Sequence, residues 1–423
     1  MPLSTGNFLE LAVNDIRSDA LSIIETGLNS IDTSNIINSS IKLSGDILSI
    51  SGKEFNLSEY KKIYVIGFGK ASCKAAQALE NVLGSKINEG LVIGIEEIKC
   101  DRIETFCGTH PKPSTETINV VRRIFNMSSS MEKEDLVIVI VSGGGSSLFC
   151  WPEQEYIDEV RLYDGFVKAS GDNIMELNTI RKHISAVKGG GLAKILYPAT
   201  VIGLIFSDVP GDHPSFIASG PTYKDTSTVS DAEELIKKYN LGSFELIETP
   251  KEDMYFENVH NFVLVSNQTA LNSMRGKATS LGYNVEIIST EMYDEASLLV
   301  KKVFEKTEAN TVILVGGEPK IIGDKSNGTG GRCLYMGLCA LKHIENKPNS
   351  IFISLATDGI DNSPSAGALV DIEIFKKMSG LNLNVDGYIN NCDGYPFFEK
   401  TNGMLVTGPT NSNVSDIIML INK

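Results

Sequence analysis

The residues best able to do chemistry lie in short glycine-rich loops, each of which follows an apolar, β-branched run. The first is Gly67-Phe68-Gly69-Lys70-Ala71-Ser72. A loop that leaves a strand and opens a helix presents backbone N–H groups and the positive end of the helix dipole to an anion, and Lys70 adds a full charge. Gly67, Gly69 and, at the end of the next apolar run, Glu96 also form part of a dinucleotide fingerprint, although its third glycine is missing. The plain alternative for Lys70 is an exposed lysine on a tight turn. The second loop is Ser142-Gly143-Gly144-Gly145-Ser146-Ser147. Three consecutive glycines let a backbone wrap an anion, and the hydroxyls of Ser146 and Ser147 add donors. The Lys-Ser/Thr ending of a Walker A loop is absent, and a glycine hinge is the alternative.

A third segment, Asn178 to Ala193, gathers Arg181, Lys182, His183 and Lys188 ahead of Gly189, Gly190 and Gly191. Arg181, Ser185 and Lys188 are spaced four and three apart, which predicts one helical face. Lys182 would fit an amphipathic surface helix equally well, and His183 a satisfied structural histidine. Lys188, Gly189 and Gly190 are the expected substrate contacts. In Ser207-Asp208-Val209-Pro210-Gly211-Asp212-His213-Pro214, two carboxylates four residues apart can hold Mg²⁺, directly or through water, as phosphoryl transfer requires. Asp208, at a strand end, is the stronger candidate; Asp212 is equally an ordinary turn former. The second half offers Glu318 in GGEP, the loop Asn327 to Arg332 (NGTGGR), and Asp358 in TDGID. Glu318 and Asp358 are further metal candidates, Asn327 and Thr329 are expected at the substrate or nucleotide, and the bidentate guanidinium of Arg332 can neutralise a transferring phosphoryl group.

These loops need strands behind them. KIYVIGFGK, GLVIGIEE, DLVIVIVSGGGSS, ATVIGLIFSDVPGD, NFVLVSNQ, TVILVGGEP and SIFISLATDGID all read as buried parallel strands. Stretches of helical period lie between them at 71–83, 230–239 and 295–307. Alternating strands and helices predict an α/β class with doubly wound sheets, in which ligands collect at the carboxyl ends of the strands. The chain turns polar and charged from about 222 to 260, so a domain junction is placed near 240, giving domains 1–240 and 241–423.

Composition removes several classes of function. At 423 residues, 42% hydrophobic with 38 glycines, the chain has enough apolar residues for a globular enzyme of two units. No apolar run approaches the roughly 20 residues of a membrane helix. The N-terminal stretch mixes Glu10, Asp15 and Arg17 into a helical pattern, unlike a signal peptide. Seven cysteines with no C-x-x-C pair read as reduced thiols, so a cytoplasmic location is expected. A net charge of −15 disfavours nucleic acid and anionic membrane, and requires any anionic substrate to be met by a local basic cluster. Small molecules are the expected partners; a homodimer is the one protein assembly allowed for.

Taken together, GFGKA (67–71), GTHPKPS (108–114), VSGGGSS (141–147), AVKGGGLA (186–193), SDVPGD with ASGPT, GGEP with GTGGR, TDGID, YPFF (395–398) and TGPT (407–410) resemble the glycerate 2-kinase family. Its C-terminal portion is called the MOFRL domain, and its members have also been labelled hydroxypyruvate reductases. The resemblance runs over most of the chain. It implies two α/β domains, the first Rossmann-like with a mainly parallel sheet, and an active site in the interdomain cleft. It also implies ATP as co-substrate, Mg²⁺ or another divalent cation, and 2-phosphoglycerate made from D-glycerate. Lys70 and Arg332 stand where the family places its catalytic pair, and Asp208 joins them as a catalytic and metal residue. The chain departs from the family after GGR, where Cys333, Leu334 and Tyr335 replace the common Asn-Gln-Glu, and after TGPT, where Asn411 and Ser412 follow.

Three functions compete on these residues. A kinase needs anion nests, isolated cations and strand-end carboxylates, and all are present. A reductase would use the partial dinucleotide site with His110, His183 or His213 as proton donor. A sensor of sugar acids or phosphates could dispense with the metal carboxylates and Arg332, yet the chain keeps both.

Overall fold

The computed structural model describes residues 3–151, 153–169, 174–211, 213–322, 328–410 and 412–423. The chain divides into two compact units: a central one, Thr33–Leu264, and a terminal one made of the segment ending at Asp32 together with Val265–Lys423. The cut expected near 240 thus falls inside the central unit, and the N-terminal segment belongs with the C-terminal half. The buried pairing of Arg17 with Asp371 explains the second point, with Nε at 2.7 Å and Nη2 at 2.9 Å from the two carboxylate oxygens. Removing either partner would strand a buried charge.

The central unit begins with an antiparallel meander of β1 (Ile41–Ser44), β2 (Ile47–Ile50) and β3 (Lys53–Asn56). Its main sheet contains β4 (Lys62–Phe68), β5 (Glu89–Gly94), β6 (Ile103–Cys107), β7 (Asp135–Ser142), β8 (Thr200–Phe206) and β9 (Val259–Val265). The order is β6-β5-β4-β7-β8-β9, and β4 to β8 run parallel. Every residue of β7 is buried, as a central strand covered by helices on both faces requires. The chain lays β5 and β6 on one side of β4 and then crosses to start β7 on the other. That reversal opens a crevice at the carboxyl ends of β4 and β7, and the two glycine loops emerge there. The helix Ser72–Leu83 follows β4, and the helix Thr115–Ser128 starts from a capping box between Ser114 and Thr117. Phe68 stacks on Phe149 at 4.1 Å, packing the end of β4 against the chain beyond the second loop.

The terminal unit holds β10 (Asn284–Met292), β11 (Thr311–Gly317), β12 (Ser350–Ala356), β13 (Gly367–Val370), β14 (Met404–Leu405) and β15 (Asp416–Asn422), in the order β10-β11-β15-β12-β13-β14. Only β10 and β11 pair in parallel; the other four pairings are antiparallel. The expectation that TVILVGG and SIFISLA lie in a parallel sheet is corrected here. The last strand of the chain, β15, inserts antiparallel between them, because it is apolar at every position from Ile417 to Ile421 and fills the buried slot. NFVLV likewise forms not a buried strand but the partly exposed edge strand β9. The helix Arg332–Ile344 buries ten of its thirteen residues. Cys333, Leu334 and Tyr335 are among them, so the departure from the family's polar residues is absorbed by the core. Among the described residues no helix is long and apolar enough to cross a membrane.

Candidate functional site

In the central unit the first two loops are bound directly to each other. Gly69 has φ +122°, and a Cβ there would lie 2.2 Å from Ser142 Oγ, so only glycine lets the backbones approach. The amide of Gly69 donates to Ile93 O at 3.2 Å, that of Lys70 to Gly143 O at 2.8 Å, and that of Ser72 to Gly69 O at 3.1 Å. The Ala71 amide donates to Ser142 Oγ at 3.1 Å, and Ser142 Oγ also pairs with Ser72 Oγ at 3.2 Å. The amides expected to face an anion are therefore engaged within the protein, those of Lys70 and Ala71 in joining the two loops. Ser142, 2% exposed, acts as a brace, and the first loop's offering to a ligand is the Lys70 side chain.

Two further glycines bring side chains together. A Cβ on Gly144, which has φ +79°, would lie 3.1 Å from Lys70 Cγ and 2.9 Å from His110 Cδ2; one on Gly143 would lie 2.0 Å from Asp208 Oδ2. Lys70, His110 and Asp208 thus close on one bare turn at the switch point. His110 sits at the rim, and its pKa is lowered to about 4 by burial, then by the charges of Lys70 and Arg181. It is neutral at pH 7 and adds a polar atom without charge. Beyond the turn Ser147 Oγ donates to Gly144 O at 3.1 Å. Ser146 Oγ meets Ser219 Oγ at 2.9 Å, and Ser219 donates to Asn178 Oδ1 at 3.0 Å.

The basic segment divides by environment. Its helix runs Ile174–His183, so Ser185 and Lys188 lie beyond its end and share no face with Arg181, correcting the spacing argument. The glycines that follow adopt φ +54° at Gly189 and +88° at Gly190, which a helix cannot continue through. Lys182 is buried against Asp225 at 2.9 Å. His183, fully buried, has Nδ1 2.9 Å from Ile247 O and Nε2 3.1 Å from Ser227 Oγ. Both fix the helix in place. Lys188 is 1% exposed, with Nζ 3.7 Å from Cys150 Sγ. Gly189 and Gly190 donate to Ser219 O at 2.9 Å and Gly220 O at 2.8 Å, so this turn carries the A-S-G-P-T loop. Arg181 Nε stands 2.6 Å from Glu159 Oε1.

The terminal unit builds a second cluster at the start of the helix Arg332–Ile344. Arg332 Nε donates to Asp416 Oδ2, Nη2 lies 3.5 Å from Asp416 Oδ1, and Nη2 is 3.2 Å from Glu318 Oε1. Burial pushes the Asp416 carboxyl up, with Glu318 and Asp361 adding like charge and Arg332 pulling against them. Asp361 accepts from the amides of Gly331 (3.2 Å), Cys333 (3.2 Å) and Leu334 (2.7 Å), satisfying the open end of the helix. Asp358 Oδ1 accepts from the Ile360 amide at 3.1 Å, and its carbonyl from Thr410 N at 3.1 Å, tying TDGID to TGPT. Thr329 is held by its backbone to Asp393 and Tyr395. Asp212 and Asn327 lie outside the described residues. Among the described residues no three His, Cys, Asp or Glu side chains come together as a metal group. Sequence reasoning missed Asp416 and Glu159. The first opens an apolar strand and the second lies on a charged helix, Glu153–Lys168, and neither has a glycine beside it.

The chain is similar to known proteins in both sequence and fold. The profile described as Domain of unknown function (DUF4147) matches residues 19–248, and that of the MOFRL family matches 311–416. A glycerate 2-kinase of Pyrococcus horikoshii is 32% identical over 438 residues, covering 96% of this chain and 97% of its own. A D-glycerate 2-kinase of Thermotoga maritima is 34% identical over 379 residues, covering 85% and 90%. The crystal structure of a glycerate kinase from Thermotoga maritima superposes with a TM-score of 0.84 at 30% identity, covering 96% of this chain and 99% of that one. The order of matched segments along the sequence and the likeness of fold lead to one assignment: this chain belongs to the MOFRL-domain glycerate kinase family.

Proposed function

We propose that this protein is a glycerate 2-kinase, transferring the γ-phosphoryl group of ATP to the C2 hydroxyl of D-glycerate and releasing 2-phosphoglycerate and ADP. The observation that carries this reading is the closure of Lys70, His110 and Asp208 on the bare Gly143–Gly144 turn at the sheet's switch point. The kinase names of its relatives support it. In the reaction the C2 oxygen attacks the γ-phosphorus and the bond from that phosphorus to the β–γ bridging oxygen breaks. The electron pair leaves with ADP, and the hydroxyl proton is released. Little covalent chemistry falls to the protein; it must position the partners and neutralise charge. Lys70 does so beside the turn, and Arg332, aligned by Asp416, takes the second cationic role its motif implies. Preference for C2 over C3 rests on the family.

Mg²⁺ is held at kinase sites by one or two carboxylates plus substrate phosphates, so a site with few protein ligands is the expected kind. Asp208, against Gly143, fits as such a ligand. Glu318 is drawn to Arg332, which makes it a weaker one. When bound, the ion would shield the charge of the phosphates. The same reading places the protein in the cytoplasm with small molecules as partners, in keeping with seven cysteines and no disulfide among the described residues.

The test is ADP release on adding D-glycerate and MgATP, with the product passed to enolase in the absence of phosphoglycerate mutase. Immediate phosphoenolpyruvate is expected. Undiminished turnover in excess chelator overturns the metal assignment, and phosphoenolpyruvate that appears only after mutase is added overturns attack at C2. Oxidation of a nicotinamide cofactor with hydroxypyruvate, in place of ADP release, would return the reductase reading.

A further inference from the structure

Arg181 is a buried guanidinium with an unusual partner. Its side chain is 9% exposed, and its Nε lies 2.6 Å from Oε1 of Glu159, itself 1% exposed. The two are out of line for a hydrogen bond. Arg181 Nε and both carboxylate oxygens of Glu159 are buried with no hydrogen-bond partner among the described residues. A structural ion pair this deep is expected to satisfy its N–H and oxygen atoms, because each one left unmade is costly. Here the pair fixes the charge and leaves the fork unused.

The placement of Arg181 says what the fork is for. Asn178, one turn earlier on the same helix, closes the hydroxyl chain Asn178–Ser219–Ser146 that reaches the glycine turn. Arg181 also lies near enough to His110 for its charge to act on that ring, and His110 touches the turn at Gly144 beside Lys70. The helix it shares with Asn178, and the reach of its charge to His110, set Arg181 beside the candidate site. Around that turn the cations Lys70 and Arg181 stand against the carboxylates Glu159 and Asp208, with His110 neutral at pH 7, so no excess positive charge gathers there for a triphosphate and the side chains suit an anion of low charge. A planar guanidinium fork matches a planar carboxylate in two parallel hydrogen bonds.

We propose that Arg181, held in register by Glu159, is the residue that binds the carboxylate of the acceptor and so selects a hydroxy acid over a simple polyol. This deepens the kinase reading and rests on it for the acceptor's identity.

The experiment titrates D-glycerate and, separately, glycerol into nucleotide-free protein by calorimetry, and measures turnover in a second assay. Arg181→Lys keeps the charge beside Glu159 but loses the fork. It should weaken D-glycerate binding and raise the KM for D-glycerate roughly tenfold or more, leaving the KM for ATP and the response to glycerol unchanged. Because other substitutions strand Glu159, the double variant Arg181→Met with Glu159→Met removes both charges and should abolish the preference for D-glycerate over glycerol. Unchanged D-glycerate affinity in a folded variant would make the pair purely structural and overturn the proposal. A rise confined to the KM for ATP would overturn it too, assigning Arg181 to a phosphate. Wild-type protein that binds D-glycerate through Arg181 yet releases no ADP would keep the anchor and sink the kinase reading, so the two failures are distinguishable.

Discussion

Asp416 and Arg332 are bonded side chain to side chain across 84 residues of sequence. The carboxylate, 4% exposed, stands at the first position of β15, and the guanidinium at the first position of the helix Arg332–Ile344. The pair pins a helix start to the middle strand of the sheet and leaves the arginine one-third exposed, so the cation is aimed as well as charged.

Arg332→Ala should lower turnover by roughly two or more orders of magnitude, the scale of a lost transition-state donor. It also strands Asp416, at a cost of about 3–5 kcal/mol. With Arg332 no longer pulling against burial, the stranded carboxyl is raised further, so it holds its proton in the folded state at pH values where the unfolded chain has released it. Stability then falls as pH rises above about 4, the unfolded value. Urea midpoints of Arg332→Ala should therefore worsen from pH 6 to pH 9 more than those of the wild type. Adding Asp416→Asn should restore stability and remove that slope while leaving turnover low. If the double variant recovers turnover, Arg332 has no role in transfer.

The histidine at the rim gives a pH test with the opposite sign. His110 has a folded pKa of about 4, below the ordinary histidine value, through burial and the nearby charges of Lys70 and Arg181. The unfolded chain takes up a proton near pH 6.5 and the folded one does not, so this group's contribution to stability is lost as pH falls from about 6.5 toward 4. The His110 ring resonance, assigned by its loss in His110→Asn, should titrate below pH 5. A midpoint near 6.5 would mean that neither burial nor the charges of Lys70 and Arg181 act on the ring.

Glycine at 69 is a requirement of the loop contact. Gly69→Ala places a methyl group 2.2 Å from Ser142 Oγ and 2.4 Å from Ser142 O at φ +122°, so one of the two loops must move. A loss of about 1–3 kcal/mol is expected from strain alone, with turnover falling further because Lys70 moves with the loop. Gly45→Ala, also at positive φ but with nothing within 4 Å, serves as the control and should leave turnover intact.

The helix start at Arg332 depends on Asp361. Asp361→Ala leaves three amides without their acceptor and should cost about 2 kcal/mol or more, read as a lowered melting temperature. Asp361→Asn keeps one acceptor oxygen and should lose less. Equal losses in the two variants would show that the amides find other partners.

Much of this was legible in the chain because it is local. Buried parallel strands show as continuous apolar runs, and β4, β5, β7 and β8 fall where those runs lie. Helices at 72–83, 229–238 and 296–306 follow their periodicity. The glycines of GFGK and SGGGSS marked turns with special backbone angles, and residue type alone determined that Lys70 and Asp208 would stand at strand ends, where such sheets bind ligands. What the tertiary structure decided is non-local. An apolar run does not say whether it pairs parallel or antiparallel, so the insertion of β15 between β11 and β12 appeared only on folding. A carboxylate's role depends on which charge is buried beside it, and Asp416 and Glu159 find theirs 84 and 22 residues away. Backbone amides carry no sequence signature, which is why the loop at 69–72 reads as an anion nest and in the folded protein is the joint that holds Lys70 against Gly144.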